Sequence, residues 1–178
     1  MTVKLLITPT DITQCSFTVI QTVLISSVEC TPLLGSIGDF VWNDQNKDGQ
    51  QDSNEPGVDG VIVRLLQETT PGNYTVVSTT VTSGDGAYLF PSLPEGTYVV
   101  EFDKTTLPAN FTLTTVNALG VTSSLDSDAD PLTGRSGLIA LVPTNPALRD
   151  RLTIDAGIVN SDCPPTVKCI PIAIKRIR

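Results

Sequence analysis

The chain has 178 residues, 40% of them hydrophobic and 17% charged, with 13 Gly, 13 Pro, 4 Cys, no His and a formal net charge of −8. That length suits one β-sandwich with an appendage and is short for two independent domains. Without histidine the commonest general base and zinc ligand is gone, and the acidic balance argues against nucleic acid and anionic membranes as partners.

Residues 1–34 open with MTVKLLITPTDITQ, where Thr, Pro and Asp break the apolar run too early for a signal-peptide core. A leader is therefore expected to have been removed. Phe17, Val19, Val23 and Ile25 follow in a strand-like stretch between Cys15 and Cys30. No segment approaches the roughly 20 apolar residues that span a bilayer, so no membrane insertion is expected.

Residues 35–160 contain no cysteine, carry 16 of the 19 acids and 6 of the 11 Lys and Arg, and are punctuated by Gly, Pro, Asn and Asp. No sustained 3.6-residue period is present, so little helix is expected. Strands are predicted over 37–42, 60–66, 74–81, 88–90, 97–102, 111–116, 138–142 and 152–159. Val61, Val63 and Leu65 share one face, as do Tyr98, Val100 and Phe102. Seven or eight such strands predict an all-β fold, an antiparallel, Greek-key-like β-sandwich with extra terminal strands.

Between the first two strands, residues 44–55 read DQNKDGQQDSNE. Asp44, Asn46, Asp48, Gly49, Asp52 and Glu55 stand at positions 1, 3, 5, 6, 9 and 12 of the twelve-residue EF-hand calcium loop. Ca2+ takes six to eight oxygens, and alternate residues of a wrapped loop can aim their side chains inward. Gln50 would add its backbone carbonyl and Glu55 both carboxylate oxygens. Pro56 disfavours helical geometry at Glu55, so no helix is expected to leave the loop and the metal would staple strands.

Asp126, Asp128 and Asp130 form a second alternate-spaced acidic set, read either as a second calcium site or as a solvated loop. Asp85, in Ser83-Gly84-Asp85-Gly86, is predicted to be a hairpin-turn residue. Asn73 and Asn110 begin glycosylation sequons.

Residues 161–178 begin around Cys163-Pro-Pro and continue through Cys169 to Ile170, Ile172 and Ile174 in alternation, with Lys168, Lys175, Arg176 and Arg178. The basic residues read as a charged edge that keeps an apolar strand soluble. The four cysteines lack CxxC spacing; disulfides in an oxidising compartment, with three possible pairings, stand against buried reduced thiols. The two apolar ends either pair with each other as an annex or donate a strand to a neighbouring subunit.

Gly38-Asp39-Phe40-Val41-Trp42, the loop 44–55, Gly57-Val58-Asp59-Gly60-Val61, Gly86-Ala87-Tyr88-Leu89-Phe90 and Gly96-Thr97-Tyr98-Val99-Val100 together resemble the SdrD B-like domains of bacterial surface adhesins, related to Cna B-type modules. The resemblance covers about residues 35–160. It implies a calcium-rigidified β-sandwich serving as stalk or spacer, with Asp44, Asn46, Asp48, Gln50, Asp52 and Glu55 as metal residues. Some relatives carry an internal Lys–Asn isopeptide bond; residues 36–42 hold no lysine, so that bond is not carried over.

The expected function is thus a secreted, calcium-stabilised structural module of a cell-surface assembly such as a stalk, sheath or filament. It would work as a homo-oligomer or polymer, or beside flanking domains of a larger surface protein. The alternative is an adhesin module binding a host protein or glycan, although pattern places most of the few aromatics in the core. An enzyme using Asp126 and Asp128 comes last, because nothing supplies a companion nucleophile or oxyanion hole.

Overall fold

The computed structural model describes residues 31–116 and 124–161. The terminal stretches with Cys15, Cys30, Cys163, Cys169 and the isoleucines 170, 172 and 174 lie outside the described residues.

Nine strands are present among the described residues: β1 (Gly35–Asn43), β2 (Ile62–Thr70), β3 (Asn73–Val81), β4 (Ala87–Leu93), β5 (Gly96–Phe102), β6 (Phe111–Leu113), β7 (Ile139–Leu141), β8 (Asp150–Arg151) and β9 (Ala156–Asn160). Helix is confined to one 3-10 turn at Lys104–Thr106 and one four-residue turn, α1, at Pro146–Arg149. Among the described residues no helix is long and apolar enough to cross a membrane.

The strands form the expected β-sandwich. One sheet runs β4-β1-β9-β6, with β8 also beside β1, and the other runs β3-β2-β5-β7. Alternation drives the packing. Val61, Val63, Leu65 and Val100 are fully buried and Tyr98 and Phe102 nearly so, meeting Ile37, Val41, Phe90, Ala156 and Ile158 of the opposite sheet in one cluster. Tyr88 packs edge-on against Phe90 and Phe102, with ring centroids 5.8 and 5.7 Å away.

Most pairings are antiparallel, but β1 runs parallel to both β8 and β9. The first and last strands are neighbours, with Val41 opposite Ala156, Trp42 opposite Gly157 and Asn43 opposite Ile158. Because they share a direction, the chain enters the sandwich at one pole, at Gly35, and leaves it at the other, past Asn160. Gly157 permits the close approach of the site's supports: a Cβ there would stand 2.5 Å from Thr114 Cγ2 and 2.8 Å from Trp42 Cζ2.

Strand ends differ from those predicted, most at β2, β4, β6 and β9. The strand expected from 60 reaches Thr70 because the turn at Gly72 (φ 79°) lets Glu68 and Thr70 continue pairing with β3. The strands expected over 111–116 and 152–159 shorten to β6 and β9: Thr114 keeps its amide on Gly157 O (2.9 Å) while its hydroxyl turns to Asp44, and the Asp155 amide turns to Asp128.

Candidate metal centre

The loop 44–55 leaves the end of β1 at the pole where the chain exits. Its neck is closed by the Asn43 amide donating to Pro56 O (2.9 Å) and by the bridge between Trp42 and Gly57. The Asp44 amide donates to Ile158 O of β9 (2.9 Å), and Lys47 Nζ reaches Asn160 O (3.0 Å). On its far side the Gln51 amide donates to Leu125 O (2.7 Å), and half-buried Gln50 bridges to Asp126. Strand ends and both acidic segments therefore meet at one pole.

Within the loop, buried Asp44 is the hub. Its Oδ1 accepts from the amides of Lys47 (2.6 Å) and Asp48 (3.2 Å), while its Oδ2 accepts from the amide of Gly49 (2.9 Å) and from the Thr114 hydroxyl. Gly49 has φ 78°, the left-handed conformation in which glycine carries no steric penalty, as its place at the sharp turn predicts. Buried Glu55 closes the loop from the other end, Oε1 accepting from Gln45 N (2.7 Å) and Oε2 from Asp52 N (3.2 Å).

Asn46, Asp48 and Asp52 converge as well. Asn46 Nδ2 donates to Asp48 Oδ2 (3.0 Å) and Asp52 Oδ2 (2.9 Å). Two carboxylates thus already stand about one donor's reach from a single point. The residues fit a hard cation in kind, offering only oxygen donors beside a side-chain amide whose half-turn exchanges nitrogen for oxygen. They are not drawn into a closed cage: among the described residues no three acidic side chains converge at metal-caging distance.

The second acidic set is regrouped by the fold. Asp130 Oδ1 accepts from the amides of Leu132 (2.7 Å) and Thr133 (2.9 Å), which hold its carboxyl below the usual range, so it organises its own turn. Asp126 and Asp128 stand instead with Asp155 and Asp39. Asp128 Oδ2 accepts from the Asp155 amide (2.8 Å), and burial lifts the Asp128 carboxyl to about 6.

Asp155 has no exposed surface, and neither of its carboxylate oxygens, nor Oδ1 of Asp126, meets a hydrogen-bond partner among the described residues. Burial first, and then the charges of Asp39 and Asp128, push Asp155 up to about 9. Burial also raises Asp39, and its contact with Asp155 pulls it partly back. Such a pair is compatible with one shared proton, which supplies the donor that two bare carboxylates lack. Tyr88 closes this cluster, its hydroxyl donating to Ile154 O (2.6 Å).

Sequence spacing alone missed Asp39 and Asp155. The available signal was a single acid inside each of two otherwise apolar strand patterns, Gly38-Asp39-Phe40-Val41 and Ile154-Asp155-Ala156. Asp85 occupies the predicted hairpin turn at φ 72° and its Oδ1 also accepts from the Gly57 amide (3.0 Å). Asn73 and Asn110 are both exposed.

A sandwich whose first and last described strands run parallel, with an acidic loop fastened between them, defines a β-sandwich module with a calcium-loop sequence at one pole. The model of the SdrD B-like domain matches residues 35–158, and the chain belongs to this family. It is 43% identical over 99 residues to the serine-aspartate repeat-containing protein D of Staphylococcus aureus (strain Newman), covering 56% of this chain and 7% of that protein. It is 44% identical over 95 residues to the serine-aspartate repeat-containing protein F of Staphylococcus epidermidis (strain ATCC 12228 / FDA PCI 1200), covering 53% of this chain and 5% of that one. The match is thus to a small part of much longer proteins. Among solved structures, a group B streptococcus pilus 2b backbone protein matches 70% of this chain and 41% of its own at 18% identity and a TM-score of 0.36. The pilus adhesin RrgA of Streptococcus pneumoniae matches 74% and 15% at 17% identity and a TM-score of 0.38.

Proposed function

We propose that this chain is a secreted, non-catalytic spacer module of a cell-surface assembly, stiffened by calcium in the loop 44–55. The observation that carries this reading is the placement of that loop. It hangs from the end of β1, holds β9 through Asp44 N and Lys47 Nζ, and holds the segment after β6 through Thr114.

A spacer is pulled through its two ends. Force entering at Gly35 and leaving beyond Asn160 acts along β1 and β9, parallel neighbours, so their shared hydrogen bonds are stressed together in shear and not peeled singly. Bound calcium would neutralise Asp44, Asp48, Asp52 and Glu55 and cross-link the loop at the point where those two strands diverge. For that, the Asn46 amide would turn its oxygen, in place of Nδ2, toward Asp48 and Asp52, and the Asp44 and Glu55 carboxylates, which already accept loop amides, would share remaining lone pairs with the ion.

The family membership and the small share of each relative that is matched support a module set among flanking domains of a longer protein. Polymerisation by strand donation is the finer form of the proposal. The β3 edge suits it: nine residues, NYTVVSTTV, without charge or proline and with no partner on their outer side among the described residues. The test is to place the module between handles and stretch it by single-molecule force spectroscopy, with calcium and with chelator. A calcium-dependent rise in unfolding force supports the spacer; equal forces contradict it.

A further inference from the structure

The calcium loop ends in a neck, residues 56–59, that a distant segment of the chain holds in place. This segment is the turn 83–86 between β3 and β4. Asp85 Oδ1 accepts from the Gly57 amide (3.0 Å) and Asp59 Oδ1 accepts from the Gly86 amide (2.7 Å), so turn and neck cap each other. Val41 of β1 ties both to the sheet: its amide donates to Gly86 O (2.9 Å) and its carbonyl accepts from the Val58 amide (2.8 Å).

The three backbones pack in direct contact. A Cβ on Gly57 would run into the Asp85 carbonyl, and one on Gly86 into the Val41 carbonyl. Asp85 itself is held at φ 72°, a left-handed conformation that is unfavourable for any residue with a side chain. A turn that only reversed the chain would be better served by glycine there; what the aspartate adds is the acceptor for the Gly57 amide. That amide stands two residues beyond Glu55, whose Oε1 and Oε2 close the loop onto the amides of Gln45 and Asp52. Pro56, between them, has no amide to donate, so the first hydrogen-bond donor behind Glu55 is the one Asp85 holds.

We propose that Asp85 and Asp59 are positioning residues of the calcium loop. Neither touches the ion; together they fix the neck, and so the direction from which Glu55 enters the loop, before calcium arrives. A site whose supports are already ordered binds more tightly, because the ligand need not order them. The inference rests on the calcium reading proposed above.

The test is calorimetric titration of the full-length, calcium-stripped protein with calcium chloride, for the parent, Asp85→Ala, Asp85→Asn and Asp59→Ala, with each also melted in chelator. Asp85→Ala should raise the Kd about tenfold, and Asp59→Ala should shift it in the same direction. Asp85→Asn keeps an acceptor oxygen and tolerates the left-handed conformation, so it should bind within about twofold of the parent. A role confined to the fold would lower the Tm in chelator and leave the Kd unchanged, so Asp85→Ala with the parental Kd overturns the inference whatever its Tm. If Asp85→Ala does not fold, Asp59→Ala decides by the same criterion. Asp85→Asn binding as weakly as Asp85→Ala would assign the effect to charge in place of the hydrogen bond, and also overturns it. A parent that takes up no calcium overturns the calcium reading itself, a failure seen before any variant is compared.

Discussion

Thr114 and Asp44, separated by 70 positions, are joined by a buried hydrogen bond from the Thr114 hydroxyl to Asp44 Oδ2. One acceptor thereby serves both the tight turn of the loop and the strand segment that follows β6. Replacing Asp44 by Ala strands the amides of Lys47, Asp48 and Gly49 together with that hydroxyl, and is expected to cost about 3 kcal/mol. Thr114→Val removes a single bond and should cost about 1 kcal/mol. Urea unfolding in chelator measures both; equal losses would mean that Asp44 does not organise the loop.

Gly157 gives a steric prediction. A methyl group there meets Thr114 and Trp42 inside contact distance, so Gly157→Ala should destabilise by about 1–3 kcal/mol. Thermal melting checks it. A Gly157→Ala variant as stable as the parent would show that β9 has room to shift from Trp42.

The Asp39–Asp155–Asp128 cluster predicts an unusual pH dependence. Asp155 and Asp128 carry raised values, about 9 and about 6, against about 3.9 for an aspartate in an unfolded chain. Between those limits the folded state holds protons that the unfolded state has released. Stability should therefore be fully present below about pH 4 for these groups and fall as pH rises, by about 1.4 kcal/mol per unit for each proton held. In chelator the protein should be more stable at pH 5 than at pH 8, and Asp155→Asn should flatten the slope. A parent that gains stability from pH 5 to pH 8 would contradict the shared proton.

Much of the sandwich was legible because burial on one face leaves a period of two. Val61-Val63-Leu65 and Tyr98-Val100-Phe102 show it plainly, and each triplet lies in the core. Strand partners were not legible: alternation says which face is buried but not what lies alongside, so the parallel β1–β9 pairing had no sequence signal. The turn α1 escaped notice because four residues hold no period, although Asn145 caps it, its Oδ1 accepting from Ala147 N (3.0 Å).

The acidic clusters divide in the same way. Loop 44–55 could be read in register because a twelve-residue ligand pattern is local. The regrouping of Asp126 and Asp128 with Asp39 and Asp155 could not, since those residues are brought together only by tertiary contact. Asp130 matched the spacing, and in the fold the amides of Leu132 and Thr133 both donate to its Oδ1.

Calcium stabilisation through loop 44–55 is the claim on which the spacer reading stands, and a paired thermal melt tests it most directly. Calcium at a hundredfold excess over its dissociation constant should add about 2.7 kcal/mol relative to chelator, seen as a higher Tm. Asp48→Ala, which removes one of the two carboxylates facing Asn46, should abolish most of that difference while leaving the sandwich folded. Equal midpoints in calcium and chelator for the parent protein would contradict the account.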